Sequence, residues 1–179
     1  MLVSSLRTLA CTLLFAAPVV AQMPSAPAGK PLSPPASATV SLSGQEVSIC
    51  YSAPSMRGRT IMGGLVPYGE VWRTGANAAT TLVTKADLTI GGLAVPAGTY
   101  TLYSLPSADK WLLIVNKQTG QWGTVYNQAQ DLGRIPMVHR DLRPTQELMS
   151  ISFENTHGNA TELHVRWENT DEYVKVTAK

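Results

Sequence analysis

From residue 38 onward, short apolar runs alternate with polar positions, and no window carries an apolar stripe of helical period through three turns. β-Branched and aromatic residues fill these runs, and Gly, Pro and Asn separate them. The pattern therefore predicts an almost all-β domain. The predicted strands are 45–51, 79–84, 86–90, 99–105, 111–115, 134–140, 148–154, 161–168 and 172–177. Strands this short and this closely spaced favour an antiparallel β-sandwich or jelly-roll-like single domain, with a closed β-barrel as the alternative.

Two of the predicted strands flank a turn-forming loop, residues 155–159, and we expect them to form a hairpin with one dry face and one wet face. The dry face consists of Met149, Ile151, Phe153, Leu163, Val165 and Trp167. We expect the register that sets Ile151 opposite Leu163, because the neighbouring register would place Glu154 directly opposite Glu162. In the expected register His164 lies on the wet face as a surface histidine. The run from Trp111 to Val115 is apolar at both parities, which predicts a central core strand with Leu113 and Ile114 buried.

The N-terminal residues predict export from the cytoplasm. Residues 1–21 hold one basic residue, an apolar run from Leu9 to Ala17 and small residues before Gln22, a pattern typical of a secretory signal peptide. Lipidation at Cys11 is the alternative, but Thr8 stands where a lipobox has leucine. We expect residues 22–37 to be a Pro/Ala/Ser-rich disordered linker and residues 38–179 to form a single domain, periplasmic or secreted. No segment is long enough to be a predicted transmembrane span.

Charge and cysteine content narrow the function classes. The formal net charge is +2, and the lysines and arginines are scattered singly, so nucleic-acid binding is not expected. Removal of residues 1–21 would leave Cys50 as the single cysteine, which excludes an intramolecular disulfide in the mature protein. We expect Cys50 to be a packed, inert thiol.

A set of motifs resembles the hallmark of a family of secreted bacterial proteins known as domain of unknown function 2911. The motifs are YSAPS at 51–55, GR at 58–59, GGLVPYGEVWRTGANAAT at 63–80, IGGLAVPAGTYTLYSLP at 90–106, WLLIVNK at 111–117, QWGT at 121–124 and ELMSISF at 147–153. The resemblance covers roughly residues 38–177. It implies an extracytoplasmic β-rich domain and carries no activity or catalytic residue to this chain.

The glycine-rich stretch before residue 79 holds the candidate ligand-binding residues, which are Arg57, Arg59, Tyr68, Trp72, Arg73 and Asn77. Aromatic rings stack on sugars, and guanidinium and carboxamide groups hydrogen-bond hydroxyls or carboxylates, so these residues suit a small polar or carbohydrate-like ligand. Each also has a structural interpretation. Trp72 can plug its own loop, Arg73 can cap carbonyls or pair with Glu70, Asn77 can form an Asx-turn, and Arg57 and Arg59 can be solvated.

Two other functions are compatible with the sequence. His139 and Asp141 share a face of an extended run and would form a base and its orienter in an extracytoplasmic hydrolase or isomerase, if the fold brings them beside the arginine loop. A structural or protein-partner role in the cell envelope is the third hypothesis. The spacing of His139, His157 and His164 does not suit a metal site, and no cofactor fingerprint occurs, so no metal or cofactor is expected. Whether the protein is an enzyme stays open.

Overall fold

The structure is a computed structural model and describes residues 32–179, so the predicted signal peptide and residues 22–31 of the predicted linker lie outside the described residues. The described part contains ten strands: β1 (Pro35–Leu42), β2 (Gln45–Ser52), β3 (Thr80–Thr84), β4 (Leu88–Ile90), β5 (Leu93–Val95), β6 (Gly98–Leu105), β7 (Leu112–Asn116), β8 (Asp131–Pro136), β9 (Val138–His157) and β10 (Ala160–Ala178). A short 3₁₀ turn, Gln128–Gln130, precedes β8.

The strands form two antiparallel sheets, one of six strands in the order β1-β2-β3-β6-β7-β8 and one of four in the order β5-β4-β10-β9. The sheets do not close into a barrel, so the β-sandwich prediction is confirmed and the barrel alternative is wrong. One buried apolar cluster draws side chains from both sheets. Its most completely buried members include Leu42, Val47, Ile49, Leu82, Leu88, Ile90, Leu102, Leu113, Val115, Ile135, Met149, Leu163, Trp167 and Val176.

The predicted linker extends too far toward the C terminus. Strand β1 begins at Pro35, which pairs with Ser52, and Ala53 N donates a hydrogen bond of 2.8 Å to Pro34 O. β1 is an edge strand, where proline is tolerated because one side of the backbone has no ladder partner. The folded part therefore begins a few residues before residue 38, at a place where proline content suggested a flexible tether.

The predicted strand 134–140 is two elements. The chain leaves the six-stranded sheet at Pro136, and Val138 begins β9 in the other sheet. Met137 lies between them, buried, and its backbone N–H donates to Trp111 O at 2.9 Å. Conversely, the predicted strands 161–168 and 172–177 are parts of one long strand, β10, which is bent by register shifts around Glu168.

The central position predicted for the run 111–115 is confirmed. β7 lies between β6 and β8, and Leu113, Ile114 and Val115 are all fully buried. Ile114 faces away from the main cluster and pairs across the strands with Tyr103. The segment after β7 covers this outer face, with the ring of Tyr126 packed edge-on against Tyr103 at 5.0 Å between centroids.

The hairpin of β9 and β10 has the register that the sequence argument rejected. Leu163 pairs with Phe153, and Glu162 pairs with Glu154, so the expected register was wrong. The like-charge pair is tolerated because Arg166 binds both carboxylate oxygens of Glu154, and Asn155 Nδ2 donates to Glu162 Oε2 at 2.7 Å. The assignment of the dry face holds for its buried members, Met149, Ile151, Leu163, Val165 and Trp167, whereas Phe153 is only half-buried.

His164 lies in a different environment from the one that its sequence pattern predicts. It was expected on a wet face, but its side chain is completely buried. The opposite face of the hairpin is covered by the bent end of β10, so His164 Nδ1 lies 2.7 Å from Asp171 Oδ1 and its ring stacks on Tyr173. Strand alternation predicts two faces, but it does not show what a later bend of the same strand covers.

Candidate functional site

The candidate residues lie on the long connection between β2 and β3, residues 53–79, which contains no strand. This connection is fixed to both sheets. Met56 N donates to Glu147 O in β9 at 2.9 Å, while Trp72 and Ser104 in β6 exchange two backbone hydrogen bonds of 2.8 Å. It therefore bridges the two layers of the sandwich, and its side chains are held by contacts with both.

Trp72 forms the base of the site. Its indole stacks on Trp167 of β10, with centroids 5.9 Å apart and planes 18° apart, and meets Trp111 edge-on at 6.1 Å. Trp111 precedes β7 in one sheet and Trp167 belongs to the other, so Trp72 joins the apolar surfaces of both layers. Trp72 therefore has a packing role, but between the two sheets and not only within its own loop, and part of the half-buried indole faces a cavity.

That cavity, the arginine pocket, has a volume of about 330 Å³. Five of the six candidate residues line it: Arg57, Arg59, Trp72, Arg73 and Asn77. Tyr68 does not. Its side chain is 46% exposed, and its ring lies across the Cα of Gly63, where an added Cβ would come within 3.0 Å of the ring. The ligand-binding role of all six residues stays a prediction.

Arg73 is the innermost of the three arginines and is half-buried, whereas Arg57 and Arg59 are exposed at the rim. Arg73 Nε donates to Gly75 O at 3.4 Å, and burial lowers the pKa of its guanidinium below the ordinary value. Of the two structural roles expected for Arg73, the contact with a loop carbonyl is present, whereas no ion pair with Glu70 or another carboxylate of the described residues forms.

Backbone carbonyls hold the two rim arginines in place. Arg59 Nε donates to Met56 O at 2.9 Å and its terminal nitrogen donates to Ser55 O at 2.8 Å. Arg57 donates to Leu32 O, which ties the connection to the segment before β1. These bonds restrict the side chains and leave other N–H groups of each guanidinium for a ligand, since a guanidinium has five donors.

Asn77 closes the far side of the pocket. Its backbone has a positive φ of 59°, a conformation that asparagine tolerates better than most residues. Its Nδ2 lies 3.5 Å from Ser33 O, and its backbone carbonyl accepts a hydrogen bond of 3.1 Å from Gly123 N. Asn77 thus connects two neighbouring segments around the pocket through these contacts, and its side-chain oxygen does not form the expected Asx-turn.

Several residues of the pocket were missed by the sequence argument. Leu32 and Ser33 come from the predicted linker, and Trp167 was assigned to the core. Gly123 of the QWGT motif lies against the aliphatic stem of Arg73, where any Cβ would overlap Arg73 Cδ and approach Asn77 O to 2.7 Å. The glycine itself was a visible signal in the motif, but its partner is fifty residues away in the sequence.

A second depression of about 260 Å³ shares three wall residues with the arginine pocket, Leu65, Trp72 and Arg73. Its other walls include Tyr103 and Tyr126. The hydroxyl of Tyr126 donates to Asp131 at 2.6 Å, and burial together with this carboxylate raises the pKa of Tyr126 to about 12. Tyr126 is therefore a neutral wall residue at physiological pH.

The histidine expected to act as a base has a different partner from the one predicted. His139 Nδ1 lies 2.7 Å from Glu172 Oε1, whereas its Nε2 is 3.4 Å from Asp141 Oδ1. The hydrogen bond to Glu172 is the main cause that raises the pKa of His139, and burial raises the pKa of the Glu172 carboxyl. Glu172 is therefore the orienting group, and Asp141 is a weaker contact.

The His139 pair does not lie beside the arginine loop. His139 is at the start of β9, where it pairs with Glu172, while the loop contacts β9 eight residues further along, at Glu147. Asp141 lines a separate depression with Pro144, and the arginine pocket contains neither member of the pair. The arrangement required by the hydrolase or isomerase hypothesis is thus not the arrangement observed.

The remaining candidates are simple to place. His157 is exposed at the end of β9, as expected for a surface residue. Cys50 is exposed on β2, so the packed thiol expected from the sequence was wrong. Cys50 lies on the outward face of β2, whereas Val47 and Ile49 of the same strand lie on the buried face. Among residues 32–179 no group of three or more His, Cys, Asp or Glu side chains is arranged to hold a metal ion.

The fold and site define a two-sheet antiparallel β domain with a pocket lined by arginines and tryptophans at one edge of its core. The chain belongs to the family described as protein of unknown function (DUF2911), whose family model matches residues 33–176. Neither a search of curated proteins nor a search of solved structures found a match. Within the described residues no helix has the length and apolar character needed to cross a membrane.

Proposed function

We propose that this protein is an extracytoplasmic binding module that holds a small polar ligand in the arginine pocket. The single observation that carries the proposal is that Arg57, Arg59, Trp72, Arg73 and Asn77 all line one concave space. Small-molecule sites combine apolar walls with a few convergent polar groups, and the volume of about 330 Å³ lies at the lower end of their usual range. The signal-peptide pattern of residues 1–21 supports the extracytoplasmic location.

Thermal-shift screening of the secreted protein against sugars, organic acids and short peptides tests the binding role. A ligand of the native state raises the melting temperature by mass action. Arg73→Ala and Arg59→Ala should abolish the shift. Arg143→Ala is the matched control, because Arg143 is exposed and lines the separate depression near Asp141. A shift that survives both pocket substitutions would place the ligand elsewhere.

The proposed extracytoplasmic location is tested separately, by determining the N terminus of the protein. Mass spectrometry of protein recovered from outside the cytoplasm should show an N terminus at or near Gln22. An intact Met1, or a lipid attached to Cys11, would contradict the proposed processing.

A further inference from the structure

The charges lining the arginine pocket are all of one sign. Its walls include three arginines and no aspartate or glutamate. Elsewhere in the described residues, the partly buried Arg166 binds Glu154 and Asp171. The more exposed Arg134 also has a partner, with its Nε 3.0 Å from Asp131. Arg73, the partly buried arginine of the pocket, has no such carboxylate partner, and Arg57 and Arg59 are exposed at the rim.

Two carboxylates outside the connection, those of Glu147 and Glu168, accept hydrogen bonds from its backbone. Glu147 Oε1 accepts a hydrogen bond of 2.8 Å from Arg57 N, and the two oxygens of Glu168 accept from Ile61 N and Met62 N at 3.0 Å. These bonds fix the course of the connection without forming an ion pair with a guanidinium. None of the three guanidiniums of the pocket forms an ion pair with a carboxylate of the described residues.

Of the three arginines, Arg73 should contribute most to the binding free energy of an anion. Its guanidinium is partly desolvated, which lowers its pKa, and its hydrogen bond to Gly75 O is a long one at 3.4 Å. A cation taken out of water without a counter-charge is costly, and a bound oxyanion offsets that cost. The aromatic walls, Trp72 and Trp167, strengthen the attraction by keeping water away from one side.

We infer that the ligand of the arginine pocket is a small organic oxyanion, bearing a carboxylate or phosphate group, that the guanidinium of Arg73 binds with Arg57 and Arg59 at the rim. This inference rests on the proposed binding function and narrows its ligand class. A planar guanidinium matches both groups, since each presents oxygens that can accept two parallel hydrogen bonds. The pocket volume limits the ligand to one sugar- or acid-sized molecule.

The test measures the binding of matched pairs of probes to the full processed protein by calorimetry, with the total tryptophan fluorescence as a second readout. Glucose is compared with glucose 6-phosphate and with glucuronate, and succinamide is compared with succinate. Each charged member should bind at least about tenfold more tightly than its neutral partner, because hydrogen bonds to charged groups are worth more than neutral ones. The phosphate and carboxylate arms show which oxyanion is preferred.

Two variants identify the residue responsible. Arg73→Gln should reduce the affinity for the charged probe about tenfold or more, and Arg73→Lys should give an intermediate loss because it keeps the charge without the planar fork. Arg143→Gln is the control and should bind as the native protein does. Melting temperatures measured without probe show whether each variant is folded.

The outcomes separate the two proposals. If the neutral members bind as tightly as the charged ones, or if Arg73→Gln leaves the affinity for the charged probe unchanged, the oxyanion inference is overturned while the binding function stands. If no probe of either kind binds, both proposals fail.

Discussion

Arg73 depends on Gly123 for its position. The stem of Arg73 passes over the Cα of Gly123 so closely that no side chain fits there, and the same glycine donates to Asn77 O at 3.1 Å. The glycine of the QWGT motif thus contributes to the arginine pocket by leaving space for the side chain of Arg73. This contact links a turn after β7 with the connection after β2.

We therefore expect Gly123→Ala to lower the free energy of unfolding by about 1 to 3 kcal/mol, as overpacking does, and to weaken ligand binding by displacing Arg73. Urea unfolding and the probe titrations measure the two effects. Gly120→Ala is the control in the same loop, because its added Cβ meets nothing within 4 Å. Its φ of +78° makes a cost of about 1 kcal/mol expected there too, but without loss of binding. Equal binding by the two variants would contradict the positioning role of Gly123.

His164 is a second residue whose importance comes from burial. Its two ring nitrogens lie 2.7 Å from Asp171 and 3.3 Å from Glu162, and its ring stacks on Tyr173 at 5.0 Å between centroids. Removing one partner from a buried polar network leaves the others unsatisfied.

His164→Ala should thus lower the free energy of unfolding by about 3 kcal/mol. His164→Asn retains a short polar side chain and should lose less. His157→Ala is the control, since His157 is exposed. A loss below about 1 kcal/mol for His164→Ala in urea unfolding would show that the network around Asp171 is satisfied without the imidazole.

At the scale of elements, the β9–β10 hairpin depends on the ion pair that neutralises its like-charge contact. Arg166 is the main cause of a pKa of about 2 for Glu154, compared with 4.5 for an ordinary glutamate. Because the folded-state pKa is lowered, ionised Glu154 stabilises the fold fully above about pH 4.5, and this contribution is lost as the pH falls through about 2.

Glu154→Gln should consequently destabilise the protein at neutral pH, and its difference from the native protein should shrink as the pH falls from 4.5 toward 2. Urea unfolding at several pH values measures this difference. Glu46→Gln is the control, because Glu46 is exposed and its Lys85 partner is 3.8 Å away, so the substitution should have little effect. A difference for Glu154→Gln that is constant with pH would contradict the assigned role of the Arg166 pair.

The connection between β2 and β3 contains no regular strand, but contacts with both sheets hold it in place. Its hydrogen bonds to Glu147 in one sheet and Ser104 in the other fix its ends, and Trp72 packs between Trp111 and Trp167. A connection anchored in this way can carry binding groups with the precision of a strand, which is the arrangement expected of a preformed site.

At the scale of the whole molecule, residues 34–37 belong to the folded domain. Deleting residues 1–31 should leave the melting temperature unchanged, whereas deleting residues 1–37 removes the ladder pairs of Pro35–Ser37 and the acceptor Pro34 O. We expect the longer deletion to lower the melting temperature by roughly 5 °C, since a few backbone hydrogen bonds contribute about 1 kcal/mol each. Calorimetry compares the two. Equal melting temperatures for the two deletions would show that residues 32–37 do not stabilise the domain and that its stable part begins near residue 38.

The sequence alone determined the fold class and the faces of most strands. Apolar residues at every second position dictate a half-buried strand, because successive side chains of an extended chain point to opposite sides. For that reason Ile151 and Val165 were placed correctly, and the continuous apolar run around Ile114 identified a strand covered on both faces. The clustering of tryptophan and arginine types in one short stretch also indicated where to look for a site.

Only the tertiary structure decided the register of the hairpin, the burial of His164 and the composition of the arginine pocket. Each depends on contacts that form only when the strands and the connection between β2 and β3 pack together. Arg166 neutralises Glu154, which made the disfavoured register acceptable. Trp167 and Gly123 meet Trp72 and Arg73 only because two sheets and the connection between β2 and β3 pack together, and local alternation carries no information about such contacts.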